Sequence, residues 1–300
     1  METAELLKRR IRASQELQSV VKTMKSLAAV NIRQFEKAVE ALGDYNRTIE
    51  MGLQVVLGKG QSTLVKAREA ARESLTIIVI GSDIGMCGLL NDQIASHCVK
   101  TLADARFEMN HITILAVGQR VAASLEEEAL VPETVFSVPG GVSEITPTVQ
   151  DLIEVLDQLH TEGRMNQVEV YYNEHVSKAS FKAHRVRLLP MDRRWLKDLQ
   201  SREWPGPSLP MFTMEYDDLL SSLVRQYLFA GLYRALAESL ASENAARLMT
   251  MQNAERNIEE RLASLTTEYH QQRQTAITSE ILEIVTGFEA LGLPEEHSPH

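Results

Sequence analysis

The sequence predicts an α/β chain of a particular kind: a long antiparallel two-helix coiled coil formed by both termini, plus a small central α/β domain with a mainly parallel sheet. Three observations predict it. Residues 3–57 and 215–291 contain no proline and carry heptad-spaced apolar positions. A seam that narrow needs a partner helix, and the nearest available one is at the other end of the chain. Residues 75–200 alternate apolar runs of strand length with helix-spaced segments, as in a parallel sheet covered by helices.

The first helix is expected over 1–57. Its seam alternates steps of four and three: Leu17, Val21, Met24, Ala28, Asn31, Phe35, Ala38, Leu42, Tyr45, Ile49. Asn31 is the one residue of this set that is not apolar. Such a helix is roughly 80 Å long at about 1.5 Å per residue, far beyond the usual length of about 11–12 residues. Residues 58–74, polar and glycine-bearing, read as a linker. The α/β domain is expected over 75–214. Strands are expected at LTIIVI, ITILAVG and ETVFSVPGG, and a hairpin edge at QVEVYYNEHVS and KAHRVRLLP. Helices are expected at LLNDQIASHCVKTLADARF, QRVAASLEEEA and TPTVQDLIEVLDQLHTEG, the last capped by Thr148 or Thr146. Three prolines between 201 and 214 close the domain.

The second long helix is expected over 215–291. Ile258, Leu262, Leu265, Tyr269, Gln272 and Ala276 keep heptad spacing, and after a one-residue slip Ile277, Ile281, Ile284, Phe288 and Leu291 keep it again. This helix is longer than the first by about 20 residues, so its end should project alone by about 30 Å. That end, 274–291, has no Lys or Arg and mixes Ile, Val and Phe with Glu. With no partner in the chain, it is expected to be gripped by another protein. Residues 292–300 follow as a tail after the stop signal near Pro294.

Composition narrows the class. The chain has 300 residues, 31 basic and 41 acidic side chains, a net charge of −10, 44% hydrophobic residues and 5% aromatics. That excludes a disordered, collagenous or disulfide-built chain and is ample for a core. No apolar run approaches the roughly 20 residues that span a bilayer. The N-terminal METAELLKRRIRAS shows no signal-peptide pattern. Cys87 and Cys98 fit neither a redox pair nor a zinc site and read as reduced thiols. Charge is uneven: residues 6–33 hold seven basic side chains (Lys8, Arg9, Arg10, Arg12, Lys22, Lys25, Arg33) and one acidic one (Glu16). Two readings compete: pairing with glutamates of the last helix, or an acidic patch on a partner.

No motif supports chemistry in the chain itself. GSDIGMCG is not G-x-G-x-x-G, and GKGQST is not a phosphate-binding loop. A tight strand-to-helix turn is the better reading of the first. Ser82 and Asp83 lack a neighbouring His for nucleophilic work. The eight histidines form no metal pattern. Nucleic acid is disfavoured by the acidic balance and by the lack of aromatics in the basic stripe. No cofactor is expected.

The residues also carry a resemblance. ASENAARLMTMQNAERN (241–257) followed by RQTAITSEILEIVTG (273–287) resembles the C-terminal signature of the gamma subunits of F-type rotary ATP synthases. KRRIRASQELQSVVKTMKSLAA resembles the first helix of that family, and GSDIGMCGLLN (81–91) is similar to its G-S-D-R-G-L-C-G-G-L-N. Departures from the pattern are Ile84 for Arg, Leu89 for Gly, Glu255 and Arg256 for Thr-Asp, Asn31 and Ile32 for Lys-Met, and His270 to Gln272. They suggest a divergent or alternative-ATPase branch.

The resemblance implies a non-catalytic rotor, the central stalk. Its helix pair would run inside a hexamer of alpha and beta subunits, with the α/β domain against the epsilon subunit and the ring of c subunits. Catalysis would lie in the beta subunits. The chain would be single-copy and peripheral, on the cytoplasmic face of a bacterial plasma membrane. By position, Arg273, Gln274 and Thr278 match residues that contact a catalytic-subunit loop. Glu243 and Arg247 match a polar cluster on the shaft, with an intrachain salt bridge as the competing reading. Lys22 and Met24 match first-helix positions that face an acidic loop of the beta subunits, with an ordinary seam residue as the competing reading of Met24. The rival functions are a small nucleotide-binding enzyme with helical arms, and a coiled-coil tether or adaptor that dimerises through its helices.

Overall fold

The proline-free ends of the chain form its two longest helices in the computed structural model, which describes residues 4–59, 74–105, 111–177, 180–208 and 210–291. Helix α1 is Ala4–Lys59. Then follow β1 (Leu75–Ile80), α2 (Leu90–Ala105), β2 (Ile112–Val117), α3 (Gln119–Glu127), β3 (Thr134–Phe136), α4 (Val142–Thr161), β4 (Gln167–Ser177), β5 (Ser180–Leu189), α5 (Arg193–Ser201) and α6 (Tyr216–Leu291). The linker and tail expected at 58–74 and 292–300 lie outside the described residues, except for the end of α1 and Ser74. Contacts divide the chain into two units, one of residues 26–250 and one of residues 1–25 with 251–300.

In the unit of residues 26–250 the strand order is β3-β2-β1-β4-β5. The first four are parallel, and β5 is antiparallel to β4. All six residues of the central β1 are buried. Ile78 and Ile80 pack with Leu115 and Val117 under α4 and α6, with Phe35 of α1 in the same cluster. Leu75, Ile77 and Val79 pack on the opposite side with Ile94 of α2 and Val121 and Leu125 of α3. Both faces are covered, which is why β1 reads in the sequence as an unbroken apolar run rather than an alternating one. Each fully buried Leu, Ile or Val contributes about 1.5–3 kcal/mol.

The same unit explains the middle of the two long helices. Residues 235–246 of α6, ALAESLASENAA, are buried without interruption. The alanines let neighbouring backbone approach, and most of the polar side chains have partners, the Ser239 hydroxyl having none among the described residues. Glu238 accepts from Tyr172 Oη (2.8 Å) and Arg234 Nε (2.7 Å). Ser242 Oγ donates to the Asn173 carbonyl at 2.7 Å. Asn31, the polar exception in the α1 seam, donates to Asn244 Oδ1 at 3.4 Å. Farther along, Tyr45 bonds Gln226, so the two helices run antiparallel here. Tyr45 itself is 38% exposed and sits at the edge of the seam.

Two expectations are corrected in this unit. Helix α4 begins at Val142 with Gly141 as N-cap, and Pro147 lies inside it. Thr148 is no cap; its hydroxyl donates to the Glu144 carbonyl. The N-cap Gly141 takes no side-chain bond, and Glu144 instead accepts from Gly140 N–H at 2.7 Å, just before the helix. Pro147 removes one bond near the helix start, and six buried apolar residues from Ile145 to Leu159 hold the helix regardless. Helix α5 is absent from the sequence expectation. Asp192 caps it by accepting from Arg194 N–H, and Trp195 and Leu199 pack with Leu53 and Val56 of α1.

In the unit of residues 1–25 with 251–291, the helices again pair antiparallel, through Lys25–Glu255 and Gln18–Glu259. The inward positions of α1 are Leu7, Ile11, Ser14, Gln18 and Val21. Leu17, expected in the seam, is 54% exposed. Gln18, bonded to Glu259, faces inward in its place, while Val21 and Met24 keep the expected inward positions. On α6, Met251, Ile258, Leu262, Leu265, Tyr269 and Gln272 face inward as the heptad predicts, while Ala276 is exposed. From Arg273 to Gly287 every residue is exposed. The slipped heptad there, with Ile277, Ile281 and Ile284 each about half exposed, faces no other described residue of the chain.

Candidate functional site

The turn after β1 is built by side chains of its own motif. Ser82 N–H donates to Asn91 Oδ1 (3.0 Å), and Asn91 Nδ2 donates to Ser82 Oγ (2.9 Å). Cys87 Sγ lies 3.4 Å from the same hydroxyl. Asp83 accepts from Gln119 N–H, at the start of α3, and from Val138 N–H, both at 2.8 Å. Gly81 N–H is bound to the Val117 carbonyl. The turn amides of Gly81 and Ser82 are thus engaged internally, and a carboxylate of the chain already sits at the N-terminus of α3. The geometry is that of a braced strand-to-helix turn. Gly118 is required beside it: its φ is +118°, and a Cβ there would lie 2.7 Å from the Ser82 carbonyl oxygen.

This turn rests on α6. Cys87 and Leu90 cluster with Ala246, and Arg247 Nη2 donates to the Ile84 carbonyl at 3.3 Å. Arg247 also bonds Glu243 Oε1 at 2.5 Å, with side chains only 13% and 7% exposed. The intrachain bridge is therefore present. Burial holds the Glu243 carboxyl above its usual range; Arg247 opposes this and Asp83 adds to it. Glu243 Oε2 and Arg247 Nε are buried without a hydrogen-bond partner among the described residues. Outward, the turn presents Ile84, Met86 and Leu89, each about half exposed or more, with Met86 at φ 63°. Both cysteines are free and buried, and burial pushes the Cys98 thiol up to about 12.

The remaining expected residues lie in the other unit. Lys22 is exposed and Met24 half-buried on α1. Part of the basic stripe is paired within the chain: Arg9 with Glu5, Arg12 with Glu16, and Lys25 with Glu255. Arg273, Gln274 and Thr278 are all exposed on α6, and Thr278 Oγ1 donates to the Gln274 carbonyl. Arg273 and Gln274 thus share one open helix surface. Sequence reasoning missed Asn91 and the bracing role of Asp83; the signal for both was an Asp and an Asn flanking a Gly-rich turn directly after an apolar strand.

Comparison with known proteins agrees with this architecture. The family model described as ATP synthase matches residues 3–291. The chain is 28% identical to the ATP synthase gamma chain of Desulfitobacterium hafniense, covering 97% of this chain and 100% of that one. It is 26% identical to the gamma chain of Nautilia profundicola, covering 97% and 99%. Among solved structures, a chain of the Euglena gracilis mitochondrial ATP synthase (OSCP/F1/c-ring, rotational state 3) aligns over 99% of this chain and 98% of its own length. The TM-score is 0.65 at 18% identity. A chain of the Tetrahymena thermophila central stalk and c-ring shares the fold at TM-score 0.53 and 22% identity, over 78% and 99%. Matched by that model along almost its whole length, the chain belongs to the ATP synthase family.

Proposed function

We infer that this chain is the gamma subunit, the central-stalk rotor, of a rotary ATP synthase. It couples ion movement through the membrane ring to ATP synthesis or hydrolysis in the alpha–beta hexamer. One observation carries the reading. In a chain matched by the family model over residues 3–291, the last helix continues past Gln272, its last inward described residue, and every side chain from Arg273 to Gly287 is exposed, Ile277, Ile281 and Ile284 among them. That stretch makes about 22 Å of helix that no other described residue covers. Apolar contact is non-directional, so such an end turns within a sleeve without being locked. A proline-free helix pair supplies the stiffness that torque needs.

The partners are the alpha and beta subunits, the epsilon subunit and the c ring. The structural neighbours support this set, since they belong to a rotor, an OSCP/F1/c-ring assembly and a central stalk with its c-ring. Nucleotide chemistry belongs to the beta subunits, and the braced turn after β1 supports a structural use of this chain's Gly-rich motif. The chain is peripheral, held to the cytoplasmic face of the plasma membrane through the complex. Arg273, Gln274 and Thr278 contact a catalytic-subunit loop, Lys22 and Met24 face the beta subunits, and Arg247 with Glu243 forms the polar cluster of the shaft. The homodimerising tether is not favoured, because the gamma-chain relatives match over nearly the full length.

The test is co-expression with the alpha, beta and epsilon subunits and purification through a tag on this chain. One copy per three beta subunits, with ATPase activity that depends on this chain, is the expected result. A stable homodimer that recruits none of them would overturn the reading.

A further inference from the structure

Strand β5 is an edge strand ten residues long. Among the described strands it pairs with β4 only. Its outer row of main-chain donors and acceptors is a template for another strand. The sequence along it, SFKAHRVRLL, carries Lys182, His184, Arg185 and Arg187 in a protein of net charge −10. The charges are only partly cancelled: Glu174 faces Lys182 across the ladder and lies 3.7 Å from His184, one carboxylate for two groups. Arg185 and Arg187 share a single carboxylate oxygen, Glu169 Oε1, at 2.6 and 3.2 Å. Glu169 is 1% exposed, and its other oxygen accepts from Tyr171 Oη, so that carboxylate is saturated. Lys182 is exposed. On α2, His97 is held below its usual pKa by burial, then by the charges of Arg185, His184, Lys100 and Lys182, so the same positive field reaches past the strand.

We propose that β5 is a docking edge for an acidic, extended segment of a neighbouring protein subunit, which adds a strand to the sheet. The outer main-chain groups, unpaired among the described strands, suit an extended partner, and the surplus of cations over carboxylates along β5 selects an acidic one. This rests on the stalk reading, which supplies the neighbours. Main-chain bonds give the strength, and Lys182 with Arg187 gives the selection.

The experiment measures hydrogen–deuterium exchange across 181–187 in the isolated chain and in the purified complex with its partner subunits. Alternate amides of β5, those pointing away from β4, should exchange at least about tenfold more slowly in the complex. Lys182→Gln should cut that protection and Lys182→Arg should keep it. Lys182 is exposed, and a neutral replacement places no like charge opposite Glu174. A complex that forms while the β5 amides exchange as in the free chain overturns the proposal and leaves the stalk reading standing. No complex at all defeats the stalk reading instead. Protection of the isolated chain by phosphatidylglycerol vesicles alone also overturns the proposal, since the occupant is then a lipid surface.

Discussion

Replacing Arg247 by Ala leaves Glu243 buried with neither carboxylate oxygen bonded, since Oε2 already lacks a partner. It also releases the Ile84 carbonyl. With the two side chains 13% and 7% exposed, solvent screens little of the loss. Breaking a buried pair from one side costs about 3–5 kcal/mol, and that is the expected destabilisation at pH 7. The cost depends on pH in a definite direction. The Glu243 carboxyl already sits above its usual range through burial and Asp83, and Arg247 is the group that lowers it. Without Arg247 the folded carboxyl binds its proton more tightly still. Stability is then lost as pH rises from the unfolded carboxyl pKa through the folded one, and the loss is absent below both. At pH 4 the variant should be weaker than the parent by only about 1 kcal/mol, the value of the lost hydrogen bond to Ile84. Urea titration of the isolated chain at both pH values reads this as a wide gap in midpoint at pH 7 and a narrow one at pH 4. Glu243→Leu combined with Arg247→Met should recover most of the loss, because an apolar pair of similar volume leaves no charge stranded. An equal cost at both pH values, or a double variant as weak as Arg247→Ala, would refute the reasoning.

Three further outcomes are expected. Asn91→Ala removes the side chain that bonds both the amide and the hydroxyl of Ser82; it should cost about 1–3 kcal/mol, read by thermal melting, and an unchanged melt would show the turn to be braced by backbone alone. Ile281→Asp lies on the exposed end of α6. It should change the stability of the isolated chain by less than about 0.5 kcal/mol yet reduce co-purification of the hexamer, and normal assembly would show that end to be ungripped. Arg273→Ala with Gln274→Ala should weaken the same assembly by about 1.5–3 kcal/mol per charge-assisted bond lost; wild-type assembly and ATPase activity would remove both residues from the interface.

How much was legible beforehand follows from the range over which each signal acts. The two long helices, the five strands and the antiparallel edge were readable because proline absence, heptad spacing and apolar runs are local consequences of backbone hydrogen bonding. The exposed stretch of α6 from Arg273 to Gly287 was readable from helix lengths alone. Register was less so. Leu17 looked like a seam residue until Gln18, bonded to Glu259, took the place. Helix α5 escaped because RRWLKDLQS is short and mostly charged, and only Trp195 and Leu199, packed with residues of α1, justify it.

Sequence alone determined the element order, the family resemblance and the polarity of each surface, because those depend on composition and spacing along one chain. Only the tertiary structure decided that Glu243 and Arg247 are a buried pair, that Asp83 and Asn91 brace the turn beside them, and that β5 is the last strand of the described sheet. Each of these joins groups that are distant in sequence or distinguished only by what surrounds them. Burial and pairing are properties of neighbours brought together by folding, and no local pattern encodes which neighbour a side chain will meet.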